Sequence, residues 1–120
     1  MNFDEFTLTF LKNDEVVIED TFKNLDAENN SIKIILFEYN TILDIENKMF
    51  IRENEDFKFT LDILNKECTI YLKKEDMKVP VLVEYCELTT KYNKIVLEYV
   101  IESEDAKNKL IITKKGEIYE

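Results

Sequence analysis

The sequence contains no histidine, and this absence excludes many of the common active sites. Among its 120 residues there is no tryptophan either, and there are only one glycine, one proline and two cysteines. Without histidine, the chain cannot use Ser-His-Asp or Cys-His catalysis or a histidine-containing metal site. One glycine cannot make a glycine-rich phosphate loop, and two cysteines cannot make a four-thiolate zinc site. We therefore expect a protein that is not an enzyme and has no metal or cofactor.

The chain is strongly acidic, with 26 acidic and 16 basic residues and a formal net charge of −10. Such a charge repels the phosphates of nucleic acids and the surface of anionic membranes. The densest basic positions are the isolated pairs Lys73-Lys74 and Lys114-Lys115, which do not form the cluster that a nucleic-acid footprint requires. We expect neither nucleic acid nor a membrane as a partner.

The start of the chain, MNFDEFTLTF, is acidic where a secretory signal would be positive, and it has no uninterrupted apolar core. The longest aliphatic and aromatic run, Ile34 to Phe37, is far too short to span a bilayer. We therefore expect a cytoplasmic protein in which Cys68 and Cys86 stay reduced.

The chain uses Lys, Ile and Asn heavily, and this composition is typical of proteins from AT-rich bacterial genomes.

The clearest structural pattern runs from Phe57 to Leu72. Its first half alternates apolar and polar residues, which is the pattern of a strand with one face on a core. Asn65-Lys66 interrupts the run, and a second alternating segment follows. The stretch therefore predicts a β-hairpin, around which an all-β domain is organised.

The other predicted strands are shorter alternating or β-branched runs between polar turns. Because only one glycine is available, Asn must supply much of the turn chemistry, and it tolerates positive φ better than other non-glycine residues. Lys23 to Ser31 is predicted to be a loop or one helical turn, and Ser103 to Asn108 a polar connection. The strands are expected at Phe3 to Leu11, Val16 to Phe22, Ile32 to Tyr39, Thr41 to Ile45, Lys48 to Arg52, Val79 to Leu88, Lys94 to Glu102 and Lys109 to Lys114.

Two of these segments need a closer argument. In Val79 to Leu88, residues 79, 81, 83 and 85 are predicted to share a face, and Pro80 should lie at a sheet edge or a bulge because it cannot donate to a ladder. Lys94 to Glu102 also fits a helical template, but its many β-branched residues favour a strand.

The sequence as a whole predicts one domain, residues 1–120, with nine or ten strands joined by short turns. This pattern predicts an up-and-down β-barrel, since closing a meander removes its exposed edges.

The second half of the chain resembles the bacterial YwiB-like proteins, small calycin-like (lipocalin-like) β-barrels of unknown function. The resemblance lies in FIRENEDFKFTLDILNKECTIYL, VPVLVEYCELTT and IVLEYVIESEDAKNKLIITKK. The positions that match the family pattern are Arg52, Phe59, Tyr71, Leu97-Glu98-Tyr99 and Asn108. Asn54 stands where the family usually has glycine, so a divergent member is expected. The resemblance implies a calycin-like fold and no established activity.

The candidate binding residues are Arg52, Phe59, Tyr71, Tyr85 and Tyr99. Arg52 is the one arginine of the chain, and its planar fork could face a carboxylate of a ligand or of the protein, or the residue could be an ordinary charge where a strand ends. A barrel of about eight strands can be filled or can hold one small ligand. The aromatic residues that could line a cavity or fill the core are these four aromatic candidates together with Phe37 and Phe57. Both alternatives remain open from the sequence.

Three functions remain compatible with these patterns, of which an enzyme that uses carboxylates, Lys, Tyr or Cys without histidine has the least support. The first is binding of a small, mostly apolar ligand inside the barrel. The second is a non-catalytic interaction module, such as a homodimer that uses a sheet face, because Ile32 to Tyr39 and Lys94 to Glu102 are apolar on both sides.

The acidic corner Glu53 to Asp56 lacks the residue order of a calcium loop. The cysteines lie in apolar strands, where free cysteine behaves as a small hydrophobe.

Overall fold

The computed structural model describes residues 3–102 and 104–115, which form an all-β protein of ten antiparallel strands. Within these ranges no helix is long and apolar enough to cross a membrane. The strands are β1 (Glu5–Lys12), β2 (Glu15–Lys23), β3 (Ser31–Leu36), β4 (Tyr39–Asp44), β5 (Met49–Glu53), β6 (Phe57–Asp62), β7 (Glu67–Leu72), β8 (Met77–Lys91), β9 (Lys94–Ile101) and β10 (Glu104–Lys114).

The strands follow an up-and-down order. Each strand pairs with the next along the chain except at β2 and β3, and the first strand, β1, also pairs with the last strand, β10. The resulting order is β2-β1-β10-β9-β8-β7-β6-β5-β4-β3. The sheet curls into a nearly closed barrel, which confirms the predicted fold class and strand number.

The seam between β2 and β3 is spanned by the segment that follows β2. The Asn24 side-chain oxygen accepts a hydrogen bond from the Lys33 N–H at 2.9 Å, and its amide nitrogen donates to the Ser31 carbonyl at 3.1 Å. The backbone N–H of Leu25 donates to the Lys33 carbonyl at 2.9 Å. This segment contains turns and no helix, so the loop alternative for Lys23 to Ser31 is confirmed.

One apolar core fills most of the barrel. Alternate residues of the strands point inward, as the period-two pattern of the sequence requires. The largest completely buried apolar side chains come from both halves of the chain and pack into one cluster: Phe3, Phe6, Leu8, Leu43, Phe50, Leu61, Ile95, Leu97 and Ile112.

The predicted hairpin from Phe57 to Leu72 is confirmed as β6 and β7. Its turn is held by the Asp62 carboxylate, which accepts hydrogen bonds from the backbone N–H and side-chain amide of Asn65 at 3.1 and 2.8 Å. Asp44 and Asn47 repeat this arrangement between β4 and β5, at 3.0 and 2.9 Å. In both turns the aspartate carboxylate accepts hydrogen bonds from the asparagine three residues later, and these bonds hold the turn where the strand ladder has ended.

The prediction that asparagine supplies much of the turn chemistry is confirmed, since Asn47 and Asn65 form the hydrogen bonds of the two hairpin turns above. The tolerance of asparagine for positive φ is used much less. Among the described non-glycine residues, those with positive φ include a single asparagine: Asn13, Asp14, Phe37, Glu38, Lys48, Lys66 and Asp76.

The predicted single strand from Ile32 to Tyr39 is wrong, because it contains a turn. Phe37 and Glu38 have φ values of 52° and 65°, and Leu36 pairs directly with Tyr39. Positive φ at both central residues is the geometry of a two-residue hairpin turn. Such turns usually carry Asn-Gly or Asp-Gly, so the Phe-Glu pair gave no signal in the sequence. The turn also explains much of the segment's apolarity on both sides.

Strand β8 departs from the predicted facing of its residues. Its first part pairs with β7 and its later part, from Val83, with β9, so Pro80 lies where only one neighbour is present. This confirms the expected edge position of the proline. The ladder shifts register between Val83 and Tyr85. The shared face predicted for positions 79 to 85 is therefore wrong at Tyr85, and Cys86 is the buried residue.

The last strand is longer than predicted. The segment from Ser103 to Asn108 was expected to be a connection, but β10 already begins at Glu104; Ser103 itself lies outside the described residues. A register shift lies between Glu104 and Asn108 in the pairing with β9. This irregularity interrupts the alternation that identifies a strand in the sequence. The prediction of Lys94 to Glu102 as a strand is confirmed by β9.

Candidate functional site

A cavity of about 260 Å³ opens at one end of the barrel and is partly open to solvent. Its lining is mostly apolar and aromatic, with one cation and one carboxylate. It is assembled from six strands, and no two lining residues are adjacent in the sequence. The lining residues are Tyr39, Arg52, Phe57, Phe59, Ile70, Tyr99, Ile101 and Glu104.

Strand pairing explains why the only arginine faces this cavity. Arg52 on β5 lies opposite Thr41 on β4 and Phe59 on β6, and Phe59 lies opposite Ile70 on β7. Residues opposite one another in a sheet point to the same face. Phe50, two residues before Arg52 on the same strand, is buried in the core. Arg52 therefore belongs to an inward-facing row of otherwise uncharged side chains.

An aromatic triangle forms the inner wall of the site. The Phe50 ring lies 6.2 Å from that of Phe59 and 5.8 Å from that of Tyr99, and the Phe59 and Tyr99 rings are 6.1 Å apart. Tyr39 and Phe57 form a second pair at 5.4 Å. These separations are within the range of favourable aromatic contacts. The rings give the cavity a stiff apolar surface.

The Arg52 guanidinium lies over the Tyr39 ring, with Cζ 4.6 Å from the ring centroid. This is a cation–π contact, which stabilises the charge without using its N–H donors. The Arg52 Nε is buried and has no hydrogen-bond partner among the described residues. Buried donors in native proteins are nearly always hydrogen-bonded, and leaving one unpaired costs roughly 1–3 kcal/mol. The site thus contains a buried donor for which residues 3–102 and 104–115 provide no acceptor.

Glu104 and Tyr99 are two other ionisable residues that line the cavity, and each has a different interaction. The Glu104 carboxylate forms an ion pair with Lys12 at 2.5 Å. Burial raises the pKa of Tyr99 well above its usual value, and the Arg52 charge opposes that rise. Tyr99 is therefore a neutral phenol at neutral pH, and it can still donate its proton to an acceptor.

Tyr71 and Tyr85, two of the predicted binding residues, lie away from this cavity. Tyr71 borders a groove on the outer face of β6, β7 and β8, and its hydroxyl donates to Asp76 at 2.5 Å. The Tyr85 side chain is 42% exposed, and its hydroxyl donates to Glu87 at 2.6 Å, which raises its pKa to about 12. The structure brings only Arg52, Phe59 and Tyr99 together.

Both cysteines are free and buried. Burial raises the pKa of Cys68 and of Cys86 to about 11. A thiol with such a pKa is almost entirely protonated at neutral pH, and the thiolate is the reactive form. The cysteines therefore act as small apolar side chains of the core, as their position in apolar strands predicted.

The sequence did not point to Tyr39, Ile70, Ile101 or Glu104 as site residues. Tyr39 was hidden because the turn before it carries no glycine or asparagine. Glu104 was hidden because it lies in a segment predicted to be a connection. Ile70 is in phase with Phe59 across the predicted hairpin, and this signal could have identified it.

Other depressions on the molecule are grooves of the outer surface and the turns. One of about 380 Å³ includes Lys58 and Thr69, and one of about 460 Å³ includes the turn residues Glu38 and Asp56. Their lining is dominated by polar side chains of the outer strand faces and turns. Within the described residues, no group of three or more cysteine or acidic side chains is arranged to hold a metal ion.

Comparison with known proteins gave no match: no family model matches the chain, and neither do any curated protein sequences or solved structures. The function has to be inferred from the cavity itself.

Proposed function

We propose that this protein is a non-catalytic binding protein that holds a small, mostly apolar ligand in the cavity beside Arg52, Phe59 and Tyr99. The observation that carries the proposal is an aromatic-lined space of about 260 Å³ inside a barrel whose interior is otherwise filled. Ligand sites are typically concave and mostly apolar, with a few placed polar groups. The volume lies just below the usual range of roughly 300–1,000 Å³, so the ligand is small.

The cavity differs from an ordinary packing fault in its lining. Packing faults in protein cores are small and apolar, whereas this space contains the only arginine of the chain. The aromatic rings contact one another and are held in place by neighbouring strands, so the site is formed before a ligand arrives. A preformed apolar site loses little conformational entropy on binding.

Native mass spectrometry of gently purified protein tests this proposal. We expect an excess mass that disappears on denaturation, or an adduct after incubation with 1-octanol. Ile70 lines the cavity, and Ile70→Trp should fill it and abolish the adduct. Thr69→Trp places the same ring on the outer face of the same strand and should leave the adduct unchanged. A bare mass in the wild-type protein under both conditions would contradict the proposal.

A second candidate function is assembly into a homodimer through β2. This strand ends the strand order and has β1 as its only partner in the sheet of described residues. Val16 and Val17 on it are 59% and 51% exposed. Exposed edge strands can pair with another chain, although here a register shift beside Leu11 and the acids Glu19 and Asp20 weaken this edge.

The mass in solution at high micromolar concentration tests this second candidate. A dimer through β2 predicts twice the monomer mass, and Val16→Lys with Val17→Lys should return the protein to monomers. Leu64→Lys changes an equally exposed apolar residue in a hairpin turn and should leave the dimer intact. A monomer mass for the wild type would exclude this interface.

We also propose that the chain is a divergent YwiB-like, calycin-like barrel that works in the bacterial cytoplasm. Its support is that Arg52, Phe59 and Tyr99, three positions of the family pattern, line one cavity. Two buried free thiols favour a reducing compartment. Fractionation of cells that express the protein tests its location: recovery in the periplasm or membranes would contradict this assignment.

A further inference from the structure

Arg52 occupies a position that an apolar residue would fill at lower cost. It lies between Thr41 and Phe59 in an inward-facing row, and its Nε is buried without a partner among the described residues. Desolvating a guanidinium N–H without a hydrogen bond is unfavourable, more so than for a neutral donor. The contact with Tyr39 covers one face of the guanidinium plane and supplies no acceptor for the Nε–H, which lies in that plane.

Among the described residues, the carboxylates nearest to Arg52 in the cavity and in the chain pair with lysines. Glu104 lines the same cavity, but it pairs with Lys12 at 2.5 Å. Glu53, the next residue in the chain, pairs with Lys73 at 2.8 Å, and this pairing lowers the pKa of Glu53. No carboxylate of residues 3–102 and 104–115 forms an ion pair with Arg52. The cavity therefore presents a cation that has no ion pair within the described part of a chain whose net charge is −10.

Resting on the proposed function, we propose that the ligand is a small carboxylic acid bound as its anion, with the carboxylate at Arg52 and the apolar body against the rings of Phe59 and Tyr99. A carboxylate offers the planar pair of acceptors that a guanidinium fork matches. Tyr99 can donate a further hydrogen bond to such a group. The acidic surface of the protein repels anions in general, so selection depends on this one contact inside the cavity.

Two probes of equal chain length separate this inference from the proposed function. Octanoate and 1-octanol share an apolar tail and differ in charge. We expect isothermal titration calorimetry on the wild-type protein to show at least about tenfold tighter binding of octanoate. Arg52→Gln should lose the preference, so that it binds octanoate no more tightly than it binds 1-octanol. Arg52→Lys keeps the positive charge but lacks the planar guanidinium fork, so this variant should retain only part of the preference for octanoate.

Lys58→Gln is the matched control, because it removes the same charge from the outer face of the neighbouring strand and should keep the full preference. Equal or tighter binding of 1-octanol by the wild type would overturn the carboxylate inference and leave the apolar binding site standing. Binding of neither probe would overturn both. An unchanged octanoate preference in a folded Arg52→Gln protein would show that another group recognises the anion.

Discussion

The two halves of strand β9 face different interiors. Ile95 and Leu97, in its first half, lie opposite Ile112 and Leu110 on β10, and all four side chains are buried in the core. Tyr99 and Ile101, in its second half, also have buried side chains, but they border the cavity that holds Arg52. We call these regions the filled half and the cavity half of the barrel.

The barrel is therefore filled by side chains in one half and contains a cavity in the other. Aliphatic side chains of β1, β9 and β10 interdigitate in the filled half, and this close packing supplies much of the folding free energy. In the cavity half, large rings meet at centroid distances of about 6 Å and leave a space between them. The filled half therefore contributes most of the close packing, and the cavity half contains the space that the proposed ligand would occupy.

The largest expected effect is that of a charge placed in the filled interior. Leu61, on the same strand as the cavity residue Phe59, is completely buried. We expect Leu61→Asp to unfold the protein, because it buries a carboxylate without a partner. Lys58→Glu, on the outer face of that strand, should cost little. Circular dichroism and urea unfolding measure both, and equal tolerance of the two changes would contradict the assignment of the faces.

Matched truncations should distinguish the two halves. Leu97→Ala leaves a new void in the filled half and should lower the free energy of unfolding by about 3–4 kcal/mol. Ile101→Ala enlarges a space that already opens to solvent, so its cost should be about 2 kcal/mol. Urea denaturation measures both values. If Ile101→Ala proves the more costly, the cavity half is packed as tightly as the rest of the barrel.

The reactivity of the buried thiols is a third test of the filled interior. Because burial raises the pKa of Cys68 and of Cys86 to about 11, we expect their alkylation at pH 8 to be roughly 100-fold slower than in the urea-unfolded chain. Mass spectrometry after timed iodoacetamide treatment measures this ratio. Equal rates in folded and unfolded protein would mean that the core opens readily at these strands.

The smallest effect is expected at a turn, outside both halves. Hydrogen bonds from Asn65 lower the pKa of Asp62, so Asp62 contributes stability at neutral pH that is lost as pH falls through its folded pKa. Asp62→Ala should cost about 0.5–1 kcal/mol at pH 7, with solvent screening considered, and less near pH 3. Asp56→Ala, at another exposed turn, is the control. A cost for Asp62→Ala that is independent of pH would contradict the role of its carboxylate.

The sequence predicted the filled half better than the cavity half. Alternation around Leu61 identifies both the strand and its buried face, because one residue in two must contact the core. The residues that line the cavity were predicted only in part. The side to which Tyr85 points depends on a bulge that shifts register, and the position of Tyr39 depends on a turn formed by Phe37 and Glu38. Such local irregularities are set by the fit of neighbouring strands, which no local pattern encodes.

Amide shifts in an NMR titration with octanoate test the central claim most directly, because they locate binding in one half of the barrel. The proposed function predicts that shifts concentrate at Arg52, Phe59, Tyr99 and Ile101, while Leu8, Leu97 and Ile112 in the filled half stay nearly unchanged. Shifts of similar size in both halves, or none at saturating octanoate, would contradict it.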